Sequence, residues 1–388
     1  MFPSDDRLVS LAKEAERMSS VSDRMVLGMV VVVIVVFAGV GTWWYVSVAG
    51  PTTTTTTTTT TPTLPNNPYS IAIVFATGGL GDKSFNDECV KGANDASAAF
   101  DMNFTYVEPV AISEYEGFIR DYCQHPQFAD PYELIICIGF DQMDALANVC
   151  KEFPNQRFAI VDMYMDPVVY NNTASVVFNE NEGSALVGAM AGLVSTTHKI
   201  GFVGGMDIPL VNKYAGGYVW GANRSSPGIN FTIAYTGDWV NTAAGKALGD
   251  AMYTAGYDII FAVAGRSGMG VIESVVTTNG TKPYPVWAIG SDSPQMYLGL
   301  NVVGDRTVVL TSMLKRVDVA VYRQFEQVFL DTWTAGIKIG SVANGLVGYE
   351  LNTTIVDLDA SVYNAIFALE NQIAAGTVIV PDYKYWLG

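Results

Sequence analysis

The sequence predicts an α/β protein with two parallel sheets. Each sheet is wrapped by helices and the two form facing lobes, preceded by one N-terminal transmembrane helix. Three observations carry that expectation. A chain of 388 residues that is 49% hydrophobic has apolar material for more than one ordinary domain. From Tyr69 onward, short apolar runs alternate with stretches of helical character, as parallel strands and crossover helices do. Residues Met25 to Gly50 contain no charged side chain, and about 24 of them make roughly 36 Å of helix, enough to cross a bilayer.

The N-terminal elements follow in order. Residues 1–24 are expected to be a cytoplasmic tail. They hold Arg7, Lys13, Arg17 and Arg24, and no further Lys or Arg appears before Lys83. By the positive-inside rule, residues 25–48 then form a single-pass anchor, with everything beyond them outside the cell. Trp43, Trp44 and Tyr45 fall where an outer aromatic belt belongs. A cleaved signal peptide is the alternative, against which the length of the apolar run counts. Residues 49–68 include a threonine tract between prolines, a linker that cannot fold alone. Sequons at Asn103, Asn171, Asn223, Asn230, Asn279 and Asn352 all lie on the expected external side.

Residues 69–388 are expected to be the two-lobed domain. The first lobe lies mainly in 69–175, with strands at Ile71–Ala76, Phe104–Val107, Leu134–Ile138 and Phe158–Val161. Its helices are expected at Ser84–Ala99, Glu114–Cys123 and Gln142–Glu152. The second lobe lies mainly in 180–285, and its strand series opens at Ile200–Val203, Phe231–Ala234 and Ile259–Ala262. The series continues to Val286–Ile289 and Val308–Leu310, with later crossovers between lobes. Helical stretches at Leu186–Ser195 and Ala243–Ala255 are interleaved. Ligands of such sheets bind outside the carboxyl ends of the strands, so the residues just after each strand are the ones to inspect.

Composition narrows the function. The net charge is -17 with no basic stripe, which argues against nucleic acid as a partner. Two histidines and four cysteines without CxxC spacing offer no metal site, and no cofactor is expected. Either Cys123 and Cys150, on helices expected side by side, form one disulfide, or all four cysteines are free. No nucleophile stands in an activating arrangement, so catalysis is not expected.

The stretch "TGGLGDKSFND", Thr77 to Asp87, looks like a phosphate loop. It fails as one, because Asp82 stands where glycine must precede Lys-Ser, and a carboxylate there repels phosphate. The reading is instead a tight glycine turn feeding a helix capped by Asp82 or Ser84. Phe85 and Asn86 then either face the cleft or serve as a staple and a spare cap.

The same stretch resembles the signature of the basic membrane protein family, the substrate-binding components of ABC importers that include purine nucleoside receptors. "IICIGFDQMDALANVCKEFPNQRFAIVD", "KIGFVGGMDIPLVNKYAGGYVWGA", "GDWVNTAAGKALGDAMYTAGYDIIFAVAGRSGMG", "WAIGSDSPQ" and "TSMLKRVDVAVY" follow in the family's order. The resemblance implies a periplasmic-binding-protein type I fold and a nucleoside-like ligand, passed to an ABC permease in the membrane. It implies that Phe85 and Trp239 stack on a base, with Asn86 matching the amide of the family's first ligand-binding motif. Asp162, Asp292 and Lys315 would hold the ribose, and the backbone of Gly265 would approach the ligand closely. An ionised carboxylate only accepts hydrogen bonds, which suits vicinal hydroxyl donors. The chain departs from nucleoside receptors in carrying Ala76-Thr77 where they have an aspartate, and Arg266 where small residues are usual. A tethered domain behind a threonine tract resembles archaeal binding proteins. The expected function is therefore extracytoplasmic solute binding for an ABC importer. The alternatives are a structural surface or filament protein on the same fold, or a ligand-sensing receptor without transport.

Overall fold

The computed structural model describes residues 64–300 and 306–382. Its first sheet is built from β1 (Ile71–Val74), β2 (Phe104–Val107), β3 (Leu134–Ile138), β4 (Phe158–Val161), β5 (Thr173–Phe178) and β11 (Gly336–Gly340). Its second contains β6 (Lys199–Gly204), β7 (Asn230–Tyr235), β8 (Ile259–Val263), β9 (Trp287–Asp292), β10 (Val309–Lys315) and β12 (Val347–Tyr349). The strand orders are β11-β5-β4-β3-β1-β2 and β12-β10-β9-β8-β6-β7, so the two sheets repeat one topology. All pairings are parallel except β10 with β12. β1, β3, β4 and β8 are buried along their whole length, as apolar runs without alternation require of strands covered on both faces.

The helices are α1 (Phe85–Phe100), α2 (Tyr115–Gln124), α3 (Met143–Glu152), α4 (Glu180–Val194) and α5 (Pro209–Ser225). They continue with α6 (Thr242–Thr254), α7 (Arg266–Thr278), α8 (Val317–Phe329) and α9 (Ala360–Ala374). The chain passes between sheets three times: after β5 through α4, after β10 through α8, and from β11 to β12. All six sequon asparagines are exposed, and the four cysteines are free and buried.

The expected transmembrane helix, and the single-pass membrane topology built on it, are corrected here. No helix among the described residues is long and apolar enough to cross a membrane. The most thoroughly buried helix, α4, has 15 residues, about 22 Å against a hydrocarbon core of about 30 Å. It is apolar because protein surrounds it. The segment that raised the expectation, residues 25–48, lies outside the described residues, as do the tail 1–24 and most of the 49–68 linker. The fold class is the two-lobed α/β fold.

Two glycine rows explain how α4 packs. Gly188 and Gly192 lie against the backbones of Tyr218 and Ala222 of α5, Gly217 and Gly221 of α5 lie against those of Asn181 and Ala185 of α4, and a Cβ at Gly188 would run into the Tyr218 carbonyl oxygen. The backbones thus touch without side chains between them. Gly188→Ala is expected to cost about 1–3 kcal/mol through overpacking, read as a lower urea midpoint. A midpoint at or above wild type would mean that helix propensity outweighs the close contact, since Ala is favoured in helices by about 1 kcal/mol.

Candidate functional site

In both sheets the strand order reverses beside the first strand, between β1 and β3 and again between β6 and β8. Such switch points open crevices at the carboxyl ends of the strands. Here the two crevices meet in one cavity, with about 700 Å³ of empty space when its open mouth is included. All seven residues singled out from the sequence line it: Phe85, Asn86, Asp162, Trp239, Gly265, Asp292 and Lys315.

The turn after β1 forms one wall. The Asp82 carboxylate accepts from the backbone N–H groups of Ser84, Asn86 and Asp87, and so caps α1. Ser84 is thereby released to donate to Asp292 Oδ2 in the other lobe at 3.0 Å. Asn86 Oδ1 accepts from the Ala76 N–H while its Nδ2 donates to Asp82, so this residue both braces the turn and lines the cavity. The amides a phosphate would need are already engaged. Leu80 N–H donates to Glu108, and Gly81 and Lys83 N–H donate to Asp87.

Trp239 stands opposite. A Cβ at Gly205, just after β6, would run into its ring. Gly265, just after β8, lies against its backbone at a φ of +53°. Phe140 of the first lobe meets Trp239 edge-on at 6.4 Å between centroids.

The far end is ionic. Lys315 ends β10 and donates from Nζ to Asp162 Oδ2 at 2.6 Å, which ties the second sheet to the first. Glu180 Oε1 and Asp292 Oδ1 each lie 3.9 Å from the same ammonium. Tyr214 donates to Asp292 Oδ1 at 2.8 Å. Asp162 and Asp292 both hold positive φ, 77° and 67°, at the ends of β4 and β9. Non-glycine residues adopt that region at a cost, and such strain clusters at sites. Asp162 Oδ1 is buried with no hydrogen-bond partner. Burial works against the Lys315 ammonium, yet Asp162, Asp292 and Glu180 together hold its pKa above the usual lysine value.

Four features were not foreseen. Arg266 stood out in the sequence only as a departure from small residues, and its role is a contact between the lobes. Its Nη2 donates to the Gly78 and Leu80 carbonyls across the cleft, at 3.1 and 2.7 Å. Tyr214 lies mid-helix in α5, with no local sign of its role. Glu180 is an acid at the head of an apolar helix, which is a signal, although a common one at helix starts. Asp141, three residues beyond the end of β3 and following Gly139 and Phe140, sits where the strand-end rule directs attention.

Glu180 is fully buried, and burial pushes its carboxyl up to about 7. Lys315 pulls it down, Asp162 pushes it up and Lys213, 3.1 Å from Oε2, pulls it down. The native carboxyl therefore holds its proton more tightly than the unfolded one. Its contribution to stability is full below the unfolded value near 4.5 and is lost as pH rises through about 7. The urea midpoint is expected to fall between pH 5 and 7.5, and Glu180→Gln to flatten that fall. The remainder would report Glu88, which burial also lifts to about 7. An equal fall in both proteins would show that Glu180 does not titrate there.

Comparison with known proteins gives these features a family. Residues 70–384 match the model of the ABC transporter substrate-binding protein PnrA-like family. The CD4+ T-cell-stimulating antigen of Listeria monocytogenes is 33% identical over 65% of this chain and 71% of that protein. The ABC transporter nucleoside-binding protein BmpA of Lactococcus lactis is 30% identical over 80% of this chain and 88% of its own length. A crystal structure of an ABC transporter solute-binding protein from Aeropyrum pernix shares the fold. Its TM-score is 0.71 and its identity 23%, over 81% of this chain and 94% of that one. Among the described residues no group of acidic, histidine or cysteine side chains is placed to hold a metal ion. The chain belongs to the PnrA-like family of ABC transporter substrate-binding proteins, and is an extracytoplasmic solute-binding protein of the ABC-transporter type rather than an enzyme.

Proposed function

We propose that the cavity binds a nucleoside, a purine nucleoside first, for delivery to the cognate permease that family membership implies. The observation that carries this is the Asp162 Oδ1 atom, buried and unpartnered beside Lys315, with Asp292 across the cleft. A ribose supplies the missing donors. Its vicinal hydroxyls donate to Asp162 and Asp292, and charge-assisted bonds of this kind are the stronger class. Phe85 and Trp239 then offer ring faces for the base, worth on the order of 1–3 kcal/mol per stacked base. The Lactococcus relative's name, a nucleoside-binding protein, agrees with this reading.

The residues here bind and orient, and none of them acts on a bond. Asp162 belongs to the first lobe and Asp292 and Lys315 to the second, so a ribose held by all three would favour the closed arrangement. Binding free energy would thus become a change of shape for the permease to recognise.

Adding nucleoside to the full chain is expected to raise the melting temperature. At one hundred times Kd the stabilisation is about 2.7 kcal/mol. Free bases, lacking the ribose, should shift it less. Shifts with sugars or amino acids and none with any nucleoside would reject the proposal.

A further inference from the structure

We infer that Asp141 reads the base edge of the ligand and selects nucleosides whose base presents a ring N–H, the 6-oxopurines, over adenosine. This inference rests on the nucleoside reading above. The end of β1 carries no acid: Ala76 follows Phe75, and Thr77 comes next. The neighbouring strand supplies one instead. Asp141 lies just past the end of β3, at the first lobe's switch point, and lines the cavity together with Ala76, Thr77 and Gly139.

The carboxylate is fixed by two donors at one oxygen and has no partner at the other. Its Oδ2 accepts from the Thr77 hydroxyl at 3.1 Å and from the Tyr115 hydroxyl at 2.9 Å. Tyr115 is fully buried, and its oxygen accepts the Thr77 N–H at 2.7 Å, which closes a small ring of bonds. Burial raises the pKa of the group, and the Tyr115 and Thr77 hydroxyls on its one oxygen offset part of that rise. The other oxygen, Oδ1, is buried and has no partner. A buried acceptor without a donor is costly, more so when charged, and the cost disappears when a ligand brings the donor.

The chemistry of the donor follows from position. Asp141 is adjacent in sequence to Phe140, whose ring edge meets Trp239. The Lys315 ammonium lies instead over the Phe85 ring, 4.9 Å from its centroid. Asp141 thus belongs to the Trp239 side of the cavity, apart from the carboxylates suited to ribose. A carboxylate can only accept. Inosine and guanosine present N1–H on the edge beside O6, whereas adenosine presents a bare N1 lone pair there. Asn86 lines the same cavity, and its Nδ2 carries a second hydrogen beyond the one given to Asp82, a donor of the kind O6 accepts.

The test is calorimetric titration of the full chain with inosine, guanosine and adenosine, in wild type and in Asp141→Asn. The amide keeps an oxygen for the Thr77 and Tyr115 hydroxyls, so an unchanged melting temperature without ligand is expected. Wild type should bind the two oxopurine nucleosides about ten- to a hundredfold more tightly than adenosine, the range for one hydrogen bond to a charged group. Asp141→Asn should lose that ratio, through weaker inosine binding, with adenosine affinity held. Nucleosides that bind wild type without that order, or a ratio that survives the substitution, would overturn the role of Asp141 and leave the nucleoside reading standing. No binding by any nucleoside would overturn both. The wild-type ratio is informative even if the variant proves unstable.

Discussion

The Lys315 ammonium is the interaction on which the site depends. It is almost entirely buried, and it faces one carboxylate from the first lobe, one from the second and one from the α4 crossover between them. The rings of Phe85, Phe178 and Tyr214 lie around it at 4.9 to 5.7 Å. No pair in this group stands alone: removing the cation would leave Asp162, Asp292 and Glu180 in mutual repulsion away from water, and such orphaned charges are severely destabilising. The arrangement is tolerable only because donors converge on it. Tyr214 and Ser84 donate to Asp292, the Lys213 ammonium lies 3.1 Å from Glu180 Oε2, and Asp162 keeps one oxygen in reserve. That reserve is where structural necessity ends and binding capacity begins.

The glycine turn after β1 takes its meaning from the same closed arrangement. Gly78, Gly79 and Gly81 all hold positive φ, and Lys83 does so at 54° without being glycine. This backbone turns carbonyls toward the second lobe. Arg266 takes those of Gly78 and Leu80, while Ser293 and Gln295 donate to that of Lys83 at 2.6 and 2.7 Å. A phosphate loop would turn its amides inward. Here the amides go to Glu108 and Asp87, and the carbonyls form a seam between lobes. Asp82, which spoils the phosphate-loop pattern, is the acid that caps α1 and holds the turn in that form.

Much of this was legible in the chain itself. Uninterrupted apolar runs marked β1, β3, β4 and β8, because strands covered on both faces have no polar side to obscure them. β11 and β12 gave little signal, since they are short edge strands whose place is set by distant partners. Helix α4 was legible only from Leu186 on. Its first turn reads Glu-Asn-Glu-Gly, and burial on all sides leaves no polar stripe to establish a period. The seven cavity residues were reached through the order of the motifs, which composition or spacing alone would not have given. Glu180, Tyr214 and Arg266 escaped because their roles exist only after the lobes meet. The anchor read from residues 25–48 shows the opposite limit: a charge-free run states what a segment would do as a helix, and no described helix performs that part.

The charge arrangement also bears on what kind of solute the cavity can admit. Asp162, Asp292, Glu180 and Asp141 place four carboxylates in or beside it. Of the cations nearby, Lys315 is shared among three of them, and the Arg266 Nη2 is held by two carbonyls. Among the cavity-lining residues, the buried polar atoms left without a partner are two carboxylate acceptors, Asp162 Oδ1 and Asp141 Oδ1, and one donor, the Arg266 Nε. A neutral ligand rich in O–H and N–H groups satisfies both acceptors without adding charge. A phosphorylated one would bring its negative charge against carboxylates in a medium where Coulomb repulsion is poorly screened. Under the proposed nucleoside reading, the preference for an uncharged, donor-rich solute has two separate sources: Asp162, which also ties Lys315 between the lobes, and Asp141, which is held by Thr77 and Tyr115 and takes no part in that tie.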